Sequence, residues 1–174
     1  MQAATALRRV TRLSRQQGQP AELVEQALLA AVKGHPASPV AEEARRQLAA
    51  LYYRAARESE GKDDWEGAIA AWSKALEFDA DDTHRVETIL RIADGLINQQ
   101  RAQDALPYLR QLQADARPEF RTYKEEAEWL EAAVYYQAGE RDKTITILRR
   151  IAASPNHSQR QAAQDFLERL GEAG

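Results

Sequence analysis

The sequence predicts an all-α fold: an α-α superhelix of about four helical hairpins, closed by a C-terminal capping helix. Three observations predict it. Apolar residues recur at steps of three and four along nearly the whole chain. The pattern is interrupted at Gln17-Gly18-Gln19, Gly61-Lys62-Asp63-Asp64, Gln100-Arg101-Ala102 and Gly139-Glu140-Arg141, and each break is followed by a fresh apolar stripe of helical period. No second strand-like segment exists to pair with the one short stretch that has strand propensity. A single hairpin cannot bury its own apolar face, so hairpins repeated at a period of roughly 20 to 50 residues must stack.

The elements follow in order, with hairpins expected at about 3–33, 39–77, 83–115 and 118–153 and the capping helix at 158–170, in a single domain 1–174. Ala3, Leu7, Val10 and Leu13 stripe the first helix, and Pro20 opens its partner through Leu23, Ala27, Leu28 and Val32. Ser38 is placed as an N-cap with Pro39 in the first helical position, where its missing N–H costs nothing. The long helix that follows carries Val40, Ala44, Leu48, Leu51 and Ala55 and runs toward Gly61. Asp63 with Glu66 offers a capping-box-like start to the next, striped by Trp65, Ile69, Trp72 and Leu76. Asp79 to Asp82 is a polar turn whose carboxylates favour the positive end of a helix through Val86, Ile89, Leu90, Ala93 and Leu96. Pro107 lacks an N–H and fits only a first turn, so Asp104 is expected to cap a late-starting helix through Leu109 and Leu112. After Pro118, one stripe holds Tyr123, Ala127, Leu130 and Val134 and another holds Trp129, Ala132, Ala133 and Tyr136, which marks a helix sandwiched between two neighbours. Thr144-Ile145-Thr146-Ile147 has strand propensity, but Ile145, Leu148 and Ile151 continue at three-residue steps and predict helix. Ala162, Ala163, Phe166, Leu167 and Leu170 over a polar face suit a terminal helix.

Composition bounds the function. The chain has 174 residues, 44% hydrophobic and 29% charged, and no cysteine, which excludes disulfides, thiolate metal sites and cysteine nucleophiles together. A net charge of −3 and a pI near 5.7 argue against a general nucleic-acid or anionic-membrane surface. No stretch approaches the ~20 apolar residues that span a bilayer. Arginines interrupt the start, Met1 to Val10, where an export signal needs an unbroken apolar core. The helical pattern fills the chain from end to end, so an excised piece of a longer protein is as good a description as a whole one. The compartment stays open: cytoplasm, or periplasm if the chain is a fragment of an envelope protein.

Within Trp65-Glu66-Gly67-Ala68-Ile69-Ala70-Ala71-Trp72-Ser73-Lys74-Ala75-Leu76, the alternation of aromatic and alanine positions resembles the second helix of a tetratricopeptide repeat. Ile89, Ala93, Leu96, Ala102, Ala105, Leu109 and Leu112 fall at the same family's apolar positions, and the fourth unit follows with Ala132, Tyr135, Gly139 and Leu148, though Thr144 stands where the family prefers alanine. The interval from Arg101 to Glu140 is longer than the roughly 34 residues of this repeat, which implies irregular curvature. The junctions at His35-Pro36-Ala37-Ser38-Pro39 and Pro155-Asn156-His157-Ser158 look like helix-entry turns of bacterial cell-envelope repeat proteins.

The resemblance implies a noncatalytic protein-protein interaction scaffold, whose first helices line a groove that receives a peptide or helix of a partner. Carried onto matching positions, it nominates Arg8, Arg12 and Arg15, then Gln47, Leu51 and Arg54, then Leu90, Asp94 and Ile97, then Trp129, Ala133 and Tyr136, each trio on one helix face. The alternative is a structural or self-associating segment of a larger repeat protein, a homo-oligomer or part of a longer chain that serves a multiprotein assembly. No acid precedes Glu22, so Arg8, Arg9, Arg12 and Arg15 concentrate positive charge and point to an acidic peptide partner, against the plainer reading of a solvated helix face. Trp129 and Tyr136 suit either a groove anchor or core packing, whereas Trp65 and Trp72 are expected between helices. The Lys/Asn set of carboxylate-clamp grooves is absent from these positions. His35, His84 and His157 lie beside turns with no second ligand at helical spacing, so they read as loop residues and no metal is expected. Asp79-Ala80-Asp81-Asp82 lacks the glycine and glutamate of a calcium loop. No catalytic residues and no cofactor are expected, since no phosphate loop, nucleophile elbow or zinc-helix motif occurs.

Overall fold

The computed structural model describes residues 21–172, and these are helical with short turns and contain no strand. The helices are α1 (Ala21–Gly34), α2 (Pro39–Glu60), α3 (Trp65–Phe78), α4 (Asp82–Asn98), α5 (Ala102–Gln113), α6 (Arg121–Gln137), α7 (Arg141–Ala153) and α8 (Arg160–Arg169), with a 3₁₀ turn at Pro118–Phe120 leading into α6. The all-α class agrees with the expectation, as does the packing of consecutive helices along α1 to α3 and along α4 to α8. No described helix is long and apolar enough to cross a membrane. The expected first helix, and with it Arg8, Arg12 and Arg15, lies outside the described residues. The chain divides into two compact units between Asp81 and Asp82.

In the first unit α1 packs on α2 and α2 on α3. Ser38 caps α2 as expected: its Oγ accepts from Ala41 N at 3.2 Å, with Pro39 in the first turn. The buried face of α2 is Ala41, Ala44, Leu48, Ala49, Tyr52 and Ala56, one position round from the expected stripe; Val40 and Leu51 are half-buried and Ala55 is exposed. Small alanines admit the neighbouring helices closely, and Tyr52 reaches further than a leucine. Its ring stacks on Phe78 at 5.9 Å and its hydroxyl donates to Glu25 Oε1 at 2.6 Å. Burial and that carboxylate push the Tyr52 hydroxyl far above its ordinary pKa, so it stays a donor. The core gathers Leu28, Ala31, Ala44, Leu48, Tyr52 and Ala75. Trp72 is buried and Trp65 half-buried.

Asp64, not Asp63, caps α3. Its carboxylate accepts from Gly67 N at 3.0 Å, while Asp63 takes the left-handed conformation at φ +57°. The reason is a turn that recurs. Four helices end with a left-handed residue, namely Asp63, Gln100, Gly139 and Gly171. In each case the next N–H reaches back five residues: Asp64 to Ser59 O, Arg101 to Leu96 O, Glu140 to Tyr135 O and Glu172 to Leu167 O, at 2.8 to 2.9 Å. This bond satisfies a carbonyl orphaned at the helix end and fixes where the following residue begins.

The second unit holds α4 to α8, each packed on the next, and α4 also packs on α6. Trp129 and Tyr136 of α6 meet Phe166 of α8 at ring-centroid distances of 6.4 and 5.0 Å. The first helices of successive hairpins thus lie side by side, α6 touching α4 on one flank and α8 on the other. The late start expected for α5 does not occur. The recurring turn sets its beginning at Ala102, Asp104 sits in the first turn with its carboxylate 2.9 Å from Arg101 Nε, and Pro107 lies inside the helix. Pro107 is exposed, so the Gln103 carbonyl that it leaves without a helical donor is on the face open to water. Thr144, fully buried, returns its hydroxyl to Glu140 O at 3.1 Å, which lets a polar residue stand where the repeat pattern favours alanine.

His157 is not a solvated loop residue. It is buried, its Nδ1 accepts from Gln159 N at 3.0 Å, and its Nε2 lies 3.4 Å from Glu128 Oε2. The same turn is held by Glu125, whose carboxylate accepts from Ser158 N at 2.9 Å. Burial pushes the Glu125 carboxyl up, but the Ser158 donors and the charges of His157 and Arg121 outweigh it and hold the group below its ordinary 4.5. A carboxyl depressed on folding contributes stability above its unfolded pKa and loses it as pH falls through the folded value. Glu125→Gln is therefore expected to lower stability at pH 7 by about 1 kcal/mol and to flatten the acid limb below pH ~4.5, read by urea unfolding across a pH series. An unchanged acid limb would contradict it.

Candidate functional site

The side-by-side arrangement of α4 and α6 leaves a groove on one face of the second unit. It is lined by Glu87, Leu90, Arg91 and Asp94 of α4 and by Tyr123, Glu126 and Leu130 of α6, and encloses about 390 Å³. Both helices present these positions because their wider apolar arcs are spent elsewhere. Val86, Ile89, Ala93 and Leu96 of α4 are buried, as are Ala127, Ala132, Val134 and Tyr135 of α6, which leaves the flanking Leu90, Tyr123 and Leu130 half-buried. Farther along the same helices a second hollow of about 700 Å³ is bounded by Ile97, Asn98, Val134, Gln137 and the turn Gln100 to Asp104.

The structure brings Leu90 and Asp94 to the first hollow and Ile97 to the second. It places the α6 trio differently. Trp129 and Tyr136 lean on Phe166 of α8, with the Arg169 guanidinium 5.4 Å over that ring, and Tyr136 is 52% exposed. Trp129 and Ala133 are half-buried. The α6 residues that face α4 are Tyr123, Glu126 and Leu130, of which the sequence pattern assigns Tyr123 and Leu130 to a core stripe and reads Glu126, paired with Glu125, as a freely solvated acid. The available signal was the pair of stripes on α6: a helix with a neighbour on each flank has two edges, and only the edge toward the preceding first helix enters this groove. In the first unit Gln47 and Leu51 of α2 are half-buried and Arg54 is exposed, and the Gln47 amide nitrogen donates to Glu43 at 2.8 Å.

The groove's charge is opposite in sign to that of the arginine-rich sequence from Arg8 to Arg15. Three carboxylates surround it against one guanidinium. The other acids of α6 have cations: Glu125 lies 3.3 Å from Arg121, Glu128 3.1 Å from Arg150, and buried Glu131 accepts from Gln113 at 2.7 Å with Arg110 at 3.9 Å. Glu126 accepts only from the neutral amide of Gln159, at 3.2 Å, and Glu87 and Asp94 form no ion pair among the described residues. At the foot of α4, Arg117 bridges Asp82 at 2.5 Å and Asp115 at 2.7 Å and lies 4.3 Å over the Phe120 ring, which fixes the turn before α6. Its hydrogen bonds hold the Asp115 carboxyl down at about 2. Among the described residues no three His, Asp or Glu side chains are grouped as a metal site requires.

No family model matches this chain, and neither a curated protein nor a solved structure is similar to it. The functional reading therefore rests on the groove itself.

Proposed function

We propose that the chain is a noncatalytic protein-interaction module of tetratricopeptide type, and that the face shared by α4 and α6 holds a segment of a protein partner. The observation that carries this reading is the side-by-side packing of two first helices, with half-buried Leu90, Tyr123 and Leu130 left between them. Apolar side chains held at half burial on a rigid pair of helices offer contact area with little ordering cost on the protein's side. The recurring hairpin turn and the aromatic and alanine spacing of α3 support the family assignment.

A photo-crosslinking residue at Leu130, compared with one at exposed Arg149 on α7, tests the proposal. The groove position is expected to give a discrete protein adduct in cells producing the chain, lost in a Leu90→Glu background, and the outer position is expected to give none. Equal adducts from both positions, or none from Leu130, would defeat it. An adduct at twice the chain's mass would mark the self-associating reading instead, which Leu23 and Leu29, exposed on α1, favour.

A further inference from the structure

We infer that the α4–α6 groove selects a cationic segment: a partner stretch in which lysine or arginine residues flank an apolar side chain. The inference rests on the proposed interaction role and adds the chemistry of the ligand. Glu87 and Asp94 sit two turns apart on α4, about 10 Å along the axis, with Leu90 between them. Across the groove Glu126 stands between Tyr123 and Leu130, three and four residues away on the same face of α6. The layout is an apolar floor with carboxylates at its corners.

A second feature sets these acids apart. On α6 the carboxylates turned away from the groove have a cation within reach, Arg121, Arg150 or Arg110, whereas Glu126 has only a neutral amide. Glu87 and Asp94 likewise form no ion pair among the described residues. Arg91, the one cation lining the groove, leaves the site acidic even when counted in full against the three. Unpaired like charges around an apolar floor repel acidic segments and favour cationic ones, which gives selectivity and a faster encounter. An apolar side chain enters between Leu90 and Leu130 while flanking ammonium or guanidinium groups reach Glu87, Asp94 and Glu126. The space of about 390 Å³ is near the lower end of ligand-sized clefts and suits a few side chains of a continuous segment.

The test uses the whole chain and three fluorescein-labelled peptides of equal length, alternating leucine with lysine, glutamine or glutamate, read by fluorescence anisotropy. The lysine peptide is expected to bind at least about tenfold tighter than the glutamate peptide, a preference that shrinks as salt rises from about 50 to about 500 mM. Glu87→Gln, Asp94→Asn and Glu126→Gln together are expected to remove most of that preference. The control Glu22→Gln, Glu119→Gln and Glu168→Gln, which removes three exposed acids elsewhere, is expected to leave it intact. Loss of the preference in the control as much as in the groove variant would overturn the inference, as would failure of the lysine peptide to bind. Equal binding of all three peptides, abolished by Leu130→Asp, would overturn the charge selection while leaving the groove as a docking face.

Discussion

Trp72→Ala is expected to lower the unfolding free energy by about 3–5 kcal/mol. Trp72 is only 4% exposed on α3, the helix that packs on α2 across the alanine-rich face of the first unit. Truncation forfeits the burial of an indole and leaves a void that the surroundings fill poorly. On α3 itself the residues flanking Trp72 on the buried face are Ala68 and Ala75, both at 0% exposure, which bring little bulk to fill the space. Alanine's better helix propensity returns only a few tenths of a kcal/mol. Urea unfolding followed by circular dichroism checks the loss, with Trp65→Ala, half-buried, expected to cost clearly less. A loss under about 1 kcal/mol at Trp72 would mean that the α2–α3 interface tolerates collapse.

The corresponding change in the second unit, Leu148→Ala, is expected to cost about 2–5 kcal/mol. Leu148 is fully buried on α7, which contacts both α6 and α8, and Ile147 and Ile151 are buried beside it. Both neighbouring helices are pinned independently. Tyr135 of α6 accepts from Arg110 at 3.1 Å, and the end of α8 is tied by Arg141 to Leu170 O at 2.6 Å. Pinned walls relax less, which places the expected cost toward the upper part of the range. Thr146→Ala, exposed on the same helix, is the control and is expected to change stability by no more than about 0.5 kcal/mol.

What the sequence made legible was local. Ser38 before Pro39, the three-residue steps of Ile145, Leu148 and Ile151, and the break at Gly139 each state their structure within a few residues, because capping and periodicity are short-range physics. What it obscured depended on a partner. The face that α2 buries is decided by small alanines and by a tyrosine that finds Phe78 and Glu25 far along the chain, and weighting leucine above them turns the stripe by one position. His157 is buried because Glu125 and Glu128 of α6 lie against its turn, a fact not written near residue 157. The start of α5 at Ala102 was obscured for a different reason: the preceding helix ends in a left-handed glutamine, and glutamine, unlike glycine, does not announce that conformation. The groove shows the same division. Leu90 and Asp94 were recognisable from helix periodicity, but which edge of α6 faces them was not, since a doubly apolar helix carries no mark of which neighbour takes which edge.

Within each unit the contacts run chiefly from one helix to the next in the chain. Such wiring has a kinetic meaning. Little loop entropy must be surrendered before a contact forms, so assembly of each unit is expected in milliseconds or less. During synthesis a hairpin finds its docking surface already made by the segment that left the ribosome just before it, and the nascent chain grows by accretion, with its newest oily edge the only one waiting for cover.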